Sequence, residues 1–374
     1  MKLFLKLDNF IYKNIVRRII FLFNSEMIHE FLLGIGERMG KISFLRSFLR
    51  ILFLDKNTLL SQEISGVKFA NPIGLAAGFD YKAQLTQTLS SIGFAFGTVG
   101  TITYYPYGGN PKPMLARLVK SKSLMVNKGF KNQGIVTVLK KIKKNKFDVP
   151  VGLSIGKTNT RKKMTQSEAV EEIVKTFRLA ERSKINFGYY ELNISCPNLY
   201  GDISFYPPKN LDQLLREVFK LKLKKPLFIK MPIEKTDKET EAMLKVIAEY
   251  SVRGVIFGNL QKDRKNPLLD KDEIKKFKMG NFSGKPTEKR SNELIALAFK
   301  KYGNKLTIIG CGGVFTAEDA YKKIKLGASL VQLVTGLIFE GPLLPSKINF
   351  ELEELVKKDG YKNISQAVGV EALQ

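Results

Sequence analysis

The stretch from Val149 to Ile194 carries, in order, VPVGLSI (149–155), SEAVEEIVKTFRLAERS (167–183) and YYELNI (189–194). Two apolar strand candidates flank a segment whose apolar residues recur at helical spacing, a strand–helix–strand unit. The same alternation extends outward from Ser61 to the end of the chain. Further strand candidates are NPIGLAAG (71–78), FGTVGT (96–101), PLFIKM (226–231), GVIFGN (254–259), LTIIG (306–310) and SLVQLV (329–334). Helical patterns such as TEAMLKVIAEYS (240–251) separate them. Eight strands alternating with helices predict an α/β chain, a parallel (β/α)8 TIM barrel. A doubly wound open sheet fits the alternation too, but the count of eight and the lack of an early GxGxxG turn favour the barrel. A long connection over 260–290, including NFSGKP (281–286), follows strand six, and such loops are usually functional.

Residues 1–60 read differently from the barrel domain at 61–374. They hold IIFLF (19–23), IHEFLLGIGERMG (28–40) and ISFLRSFLRILFL (42–54), the last with Phe44, Leu45, Phe48, Leu49, Leu52 and Phe53 at helical spacing. Asn24 or Ser25 predicts a helix start just before Met27. No apolar run reaches ~18 residues, so no bilayer span is predicted, and Lys6 and Asp8 interrupt the only candidate signal-peptide core. Short amphipathic helices with basic edges fit attachment to an anionic membrane surface; a helical cap packed on the barrel fits equally.

Composition narrows the chemistry. The chain has 374 residues, 44% hydrophobic, with two cysteines and a single histidine, His29. That excludes a disulfide framework, a Cys/His zinc site and a Ser-His-Asp triad in the barrel. The net charge of +27 is concentrated in LKKIKKNK (139–146), LKLKKP (221–226), FKKYGNK (299–305) and YKKIK (321–325). Each run precedes a strand, at a helix C-terminus, where cations complement the helix dipole. That places them at the bottom of the barrel, away from chemistry, and no nucleic-acid partner is expected.

Barrel enzymes work at the C-terminal ends of their strands. Those ends carry Ala77, Gly78 and Asp80; Gly100 and Thr101; Ser154; Asn193 followed by Cys196 and Asn198; Lys230; Asn259; Gly310, Gly312 and Gly313; and Thr335 with Gly336. The set is rich in amides and glycine and lacks the paired carboxylates of a glycosidase. Glycine turns after strands seven and eight suit a phosphate held by backbone N–H groups. Lys230, at a barrel mouth with only Asp80 as a neighbouring strand-end carboxylate, calls for an anionic ligand.

RRIIFLFNSEMIHEF, NPIGLAAGFD, GTVGTIT, GNPKPMLARL, NKGFKNQG, GLSIGK, ELNISCPN, FSGKP, IIGCGG and GASLVQLVTG occur in that order. In sequence and spacing they resemble the dihydroorotate dehydrogenases, specifically the membrane-associated class 2 enzymes that pass electrons to quinone. The resemblance implies FMN, with its phosphate on Gly312, Gly313, Thr335 and Gly336. Thr101, Ser154, Asn193 and Lys230 would surround its ring, with Ala77, Gly78, Gly258 and Gly284 also against the cofactor. It implies dihydroorotate and orotate as ligands of Lys82, Asn127, Gly129, Phe130, Asn193, Asn198 and Asn259. His29 and Arg117 match the pair lining the family's quinone tunnel, and the implied location is peripheral, on the cytoplasmic side of the cell membrane.

Several positions depart from class 2. Cys196 stands where serine is usual, as in the soluble class 1 enzymes, and Leu199 replaces the usual threonine. Tyr81 replaces the lysine that holds the substrate carboxylate, with Lys82 next to it. Val334 replaces a tyrosine, and a gapless register puts Val126 rather than Asn127 opposite the substrate. The expected chemistry is proton removal from substrate C5 by the Cys196 thiolate, with a hydride from C6 passing to the flavin. A free thiol is a few per cent ionised at neutral pH without a histidine. A soluble, fumarate-using dihydroorotate dehydrogenase and a tRNA-dihydrouridine synthase are the rival readings; the placement of the basic runs disfavours the second.

Overall fold

The computed structural model describes residues 2–53 and 58–373, with side chains from Phe4 onward. Leu54, the end of the predicted amphipathic run, lies outside the described residues. Eight parallel strands close into a barrel in chain order: Ile73–Leu75, Phe96–Ile102, Val151–Ile155, Tyr189–Asn193, Leu227–Met231, Gly254–Phe257, Thr307–Cys311 and Ala328–Leu333. The eighth pairs with the first, Val331 opposite Ile73. Each falls within a predicted run or one residue beyond it. The first is cut to three residues because the chain turns at Gly78 (φ 106°), whose N–H donates to the Gly100 carbonyl at 2.6 Å.

The lower half of the barrel is filled by rings. A hairpin ahead of the barrel, Gln62–Ile64 with Val67–Phe69, places Phe69 beneath it, edge-on to Phe96 with centroids 5.2 Å apart. Phe96, Tyr189 and Phe228 follow edge-to-face at 6.3 and 5.7 Å, the geometry that aromatic quadrupoles prefer. Gly152 makes this possible: a Cβ there would lie 2.1 Å from the Tyr189 ring. Above this layer the interior turns polar and opens.

Helices or short helical turns link the strands, and the four basic runs fall at or just after the ends of Ile135–Ile142, Pro208–Phe219, Glu288–Tyr302 and Ala317–Lys325, as expected. Two parts of the wall carry no sequence-level signal. Leu115–Leu118 and Ser123–Val126 form an antiparallel hairpin, joined by Asn281–Phe282 from the long connection after strand six. The first connection carries only the short turn Leu89–Ile92 where a barrel helix is usual.

The N-terminal extension fills that vacancy. The helix Ser43–Phe53 packs against Leu89–Ile92, with Ser91 Oγ donating to the Arg46 carbonyl at 3.2 Å. Arg46 and Arg50 turn towards Asp148, at 3.1 and 3.7 Å, and so do not form the free basic edge that was expected. The helix Ser25–Lys41 starts at Asn24, whose side chain accepts from the Glu26 and Met27 N–H groups. Glu26, His29, Glu30, Leu33, Gly36, Glu37 and Gly40 form one stripe along it, at i, i+3, i+4, i+7 spacing. Glu26 accepts from the Met114 N–H at 2.8 Å, Glu37 accepts from Gln84 at 2.7 Å and pairs with Lys141 at 3.1 Å, and Thr88 Oγ1 donates to the Gly36 carbonyl at 2.6 Å. The inner stripe is therefore largely polar, while Met27, Phe31, Leu32 and Ile35 are exposed.

The first helical segment, running from Lys2–Ile11 to Arg17–Ile20, serves the other side of the barrel mouth. The short helix Thr335–Glu340 ends with carbonyls that lack helical partners. Tyr12 donates to Ile338 at 2.8 Å, Arg17 to Phe339 at 3.0 Å and Asn9 to Glu340 at 2.8 Å.

Leu33 is the fully buried apolar anchor of the Ser25–Lys41 stripe. Leu33→Ala is expected to weaken helix docking by about 2–5 kcal/mol. Tryptic cleavage after Arg38 and Lys41 should then rise by at least about thirtyfold. An unchanged cleavage rate would mean that the polar contacts alone hold the helix.

Candidate active site

The polar upper half of the barrel opens into a cavity at its mouth. Ala77, Gly78 and Thr101 line it from the first two strands, Asn193, Cys196 and Asn198 from the fourth, and Lys230 from the fifth. Gly258, Asn259, Gly284, Gly312, Gly313, Thr335 and Gly336 complete the lower wall, and Gly129 and Phe130 stand on the wall after the hairpin.

The glycine turns are built for close approach. Gly284, Gly312 and Gly313 have φ of 78°, 93° and 76°, where a side chain is strained. A Cβ on Gly313 would lie 2.3 Å from Glu288 Cβ. Lys230 is buried, and no hydrogen bond or ion pair joins its ammonium to a described residue. A buried ammonium in that position calls for an acceptor from a ligand. Asp80 does not serve it: its carboxylate accepts the Gln84 and Leu85 N–H groups at 2.7 and 2.8 Å.

Ser154 does not reach the cavity wall. Its hydroxyl lies 3.0 Å from Thr101 Oγ1 and donates to Glu191 at 2.9 Å, supporting Thr101 from below. Glu191 is fully buried on strand four, and its place inside an apolar strand pattern hides it from sequence reasoning. Thr101 in turn receives the Asn193 amide at 2.7 Å, while Asn193 Oδ1 accepts from the Ser195 hydroxyl at 2.9 Å and from its N–H at 3.1 Å.

The turn after strand four is held by Asn259 and by three asparagines that sequence reasoning did not single out, Asn110, Asn159 and Asn281. Asn110 donates to the Asn198 carbonyl at 2.9 Å and to Asn127 Oδ1 at 3.0 Å, and Asn159 donates to Asn110 at 2.9 Å. Asn281 donates to Asn198 Oδ1 at 2.6 Å, and Asn259 donates to the Ser195 hydroxyl at 2.5 Å. Asn110 and Asn281 lie within two of the quoted motifs, GNPKP and NFSGKP, which was the available signal. Asn127 points away from the cavity, since its amide donates to the Pro111 carbonyl at 3.3 Å and accepts from Asn110. Val126 lines the wall instead, as the gapless register had it.

Two expected cations are placed differently. Lys82 is not on the cavity wall; its ammonium pairs with Glu30 of the N-terminal helix, and the Tyr81 hydroxyl donates to the same carboxylate. Arg117 does not line the cavity either. Its guanidinium donates to the Ile20 carbonyl at 2.9 Å and to the Phe23 carbonyl, and lies 4.6 Å over the Phe21 ring. His29 is on the wall, 4.8 Å from the Phe79 ring centroid and 3.4 Å through Nδ1 from Lys128 Nζ. Burial, then the Lys128 charge, pulls its pKa down to about 3, so the ring is neutral.

The family model for dihydroorotate dehydrogenase matches residues 59–356. A dihydroorotate dehydrogenase (quinone) of Christiangramia forsetii is 38% identical over 348 residues, 92% of this chain and 99% of the relative. One from Trichodesmium erythraeum is 35% identical over 342 residues, 88% of each chain. The solved structure of the Eimeria tenella enzyme in complex with ferulenol superposes with a TM-score of 0.81 at 26% identity, covering 93% of this chain and 96% of that one.

The chain belongs to the dihydroorotate dehydrogenase family.

Cys196 lines the cavity, so the state of its thiol sets how it can react there. Cys196 is partly open to the cavity, yet burial pushes its thiol up to about 12. The Asn198 N–H and the Lys157 charge favour the thiolate, and Glu234 opposes it. The few per cent of thiolate expected from an ordinary thiol therefore does not hold: roughly 10⁻⁵ is ionised at pH 7 with a pKa near 12. Cys311 is buried and its thiol is likewise raised by burial.

Because the Cys196 pKa lies far above neutrality, its thiolate fraction grows about tenfold per pH unit from 7 to 10. Alkylation of Cys196 by a neutral reagent, followed by peptide mass spectrometry, should rise with that slope. A plateau below pH 9 would mean that nearby cations hold the thiol near its ordinary value.

Proposed function

We propose that this chain oxidises dihydroorotate to orotate with bound FMN and passes the electrons to a membrane quinone. The carrying observation is a single cavity that holds the two glycine turns, Lys230 and the turn bearing Cys196, with His29 of the N-terminal extension on its wall. The residues present fit FMN: the backbone N–H groups of Gly312, Gly313 and Gly336 with the Thr335 hydroxyl would hold its phosphate, and Lys230 would meet the ring. When bound, FMN supplies the acceptor for the hydride from substrate C6.

The protein's own contribution lies in Cys196 and the amides around it. Cys196 would take the C5 proton, and Asn193, Asn198 and Asn259 would orient the flat pyrimidine. Leu199 cannot relay a proton, so a side chain that ionises more readily than an unassisted serine is needed at position 196. The raised thiol pKa makes Cys196 a strong base once ionised, and makes the step faster as pH rises.

The exposed faces of the extension support attachment to the membrane surface. Phe10 is 63% exposed, Phe31 62%, Phe44 81% and Ile51 65%. Amphipathic helices lie in the headgroup region by such apolar faces. No helix among the described residues is long and apolar enough to cross a membrane, which fits a peripheral enzyme. His29, between this surface and the cavity, marks the path by which a quinone would approach.

Three measurements test the proposal. Anaerobic dihydroorotate should bleach the FMN-loaded enzyme, and Cys196→Ala should slow bleaching by at least about 10³-fold while FMN and orotate remain bound; near-normal bleaching in that variant would remove Cys196 as the base. Reoxidation should be fast with a quinone and slow with fumarate or NAD; fumarate as the better acceptor would favour the soluble rival. The triple variant Phe44→Ser, Phe48→Ser, Ile51→Ser should lose binding to anionic vesicles and slow quinone turnover, with the bleaching rate unchanged.

A further inference from the structure

We propose that Lys128, positioned by His29 of the N-terminal extension, is the cation that receives the substrate carboxylate. With dihydroorotate as substrate, as proposed above, the ligand is a monoanion and needs a cation within the cavity. Four lysines stand near the mouth. Glu30 pairs with Lys82 and accepts the Tyr81 hydroxyl, and Lys131 lies 3.8 Å from the same carboxylate. Lys230 stands at strand-end level, in register with Asn193, where the flavin ring belongs. Lys128 remains.

Lys128 has the surroundings of a receptor. Its ammonium faces the cavity and makes its one polar contact among the described residues with the neutral His29 ring, 3.4 Å away. It also sits 4.5 Å from the centroid of the Tyr81 ring, a cation–π contact that orients the charge without neutralising it. The Tyr81 ring is fixed by its hydroxyl on Glu30 and lies 5.7 Å from the His29 ring. Tyr81 therefore carries the cation on its face. Burial lowers the Lys128 pKa to about 7, and an incoming carboxylate would hold the ammonium protonated by giving it the anionic partner that the protein withholds. Two of the three residues that arrange the site besides Lys128, His29 and Glu30, come from the N-terminal helix. The extension is then part of the substrate site as well as the route to the membrane.

The test separates charge from packing by comparing orotate with uracil, which lacks the carboxylate. Binding of each to full-length FMN-loaded enzyme is read from the flavin absorbance change. Lys128→Met should weaken orotate at least about 100-fold and uracil less than threefold, and Lys128→Arg should recover at least tenfold of the loss. His29→Leu should reduce the orotate preference several-fold. Lys128→Gln is measured in parallel in case the methionine variant loses FMN. An unchanged orotate-to-uracil ratio in both neutral variants, or a ratio that collapses in Lys82→Met instead, would overturn the assignment. A wild-type enzyme that holds FMN but neither binds orotate nor is bleached by dihydroorotate would overturn the substrate reading itself, and that arm is read first.

Discussion

The ring layer at the bottom of the barrel is the constraint on which the rest depends. Eight strands close a cylinder whose interior must be filled by side chains. Here Phe69, Phe96, Tyr189 and Phe228 fill the lower half, with Gly152 giving up its side chain to admit Tyr189. Because these rings take the volume below, strand positions one layer higher are free to be polar. Thr101, Ser154, Glu191 and Asn193 form that layer, linked by hydrogen bonds of 2.7–3.0 Å. Most of the polar groups in this layer find partners within it, as buried polar groups must, while Glu191 Oε2 has no hydrogen-bond partner among the described residues. The layer also forms the floor of the cavity, so the packing below and the chemistry above are two halves of one fill.

The turn bearing Cys196 shows how rigidity and reactivity are traded. Asn110, Asn159, Asn259 and Asn281 bind its backbone and side chains from several different connections. Such a cross-linked turn gives the sulfur one position, which favours proton transfer at short range. The same crowding removes water, and that raises the thiol pKa. A serine in this position would gain nothing from desolvation without a relay, and Leu199 provides none. A thiol can bear the loss, since its pKa starts several units lower.

Much of the barrel was legible because a strand covered on both faces is apolar throughout and stands out against helical periodicity. All eight strands were visible for that reason, while the Asn24 cap and the glycine turns were visible from residue type. The hairpin at 115–126 was not, because LARL and SLMV are too short to show a period. The direction of Asn127 is set by Asn110, a pairing across 17 residues that no local pattern shows. Lys82 was misjudged for a different reason. Its fate depends on Glu30, some fifty residues earlier, and on the angle at which one helix docks. Charge pairing across a docking interface leaves no trace in local sequence. The missing barrel helix in the first connection was equally silent, and with it the fact that Ser43–Phe53 occupies that side of the barrel.

The extension is best understood from what it buries. A helix that caps a soluble barrel normally turns its apolar stripe inward. The Ser25–Lys41 helix instead turns inward Glu26, His29, Glu30, Glu37 and two glycines around one leucine, and leaves Met27, Phe31, Leu32 and Ile35 exposed. Glycines at the contact bring the helix backbone close to Leu85 and Thr88, so that short polar side chains can reach the barrel. Glu26 and Glu37 hold the helix on the barrel, whereas Glu30 engages lysines at the mouth. These carboxylates make sense if the helix has two duties: its outer face meets an apolar phase, and its inner face decides which lysines at the barrel mouth are paired. Glu30 takes Lys82 out of use and fixes Tyr81, His29 holds Lys128, and the Tyr12–Arg17 segment caps the helix that carries Thr335 and Gly336. On the proposed function, contact with the membrane and the electrostatics of the catalytic mouth would be set by the same fifty residues.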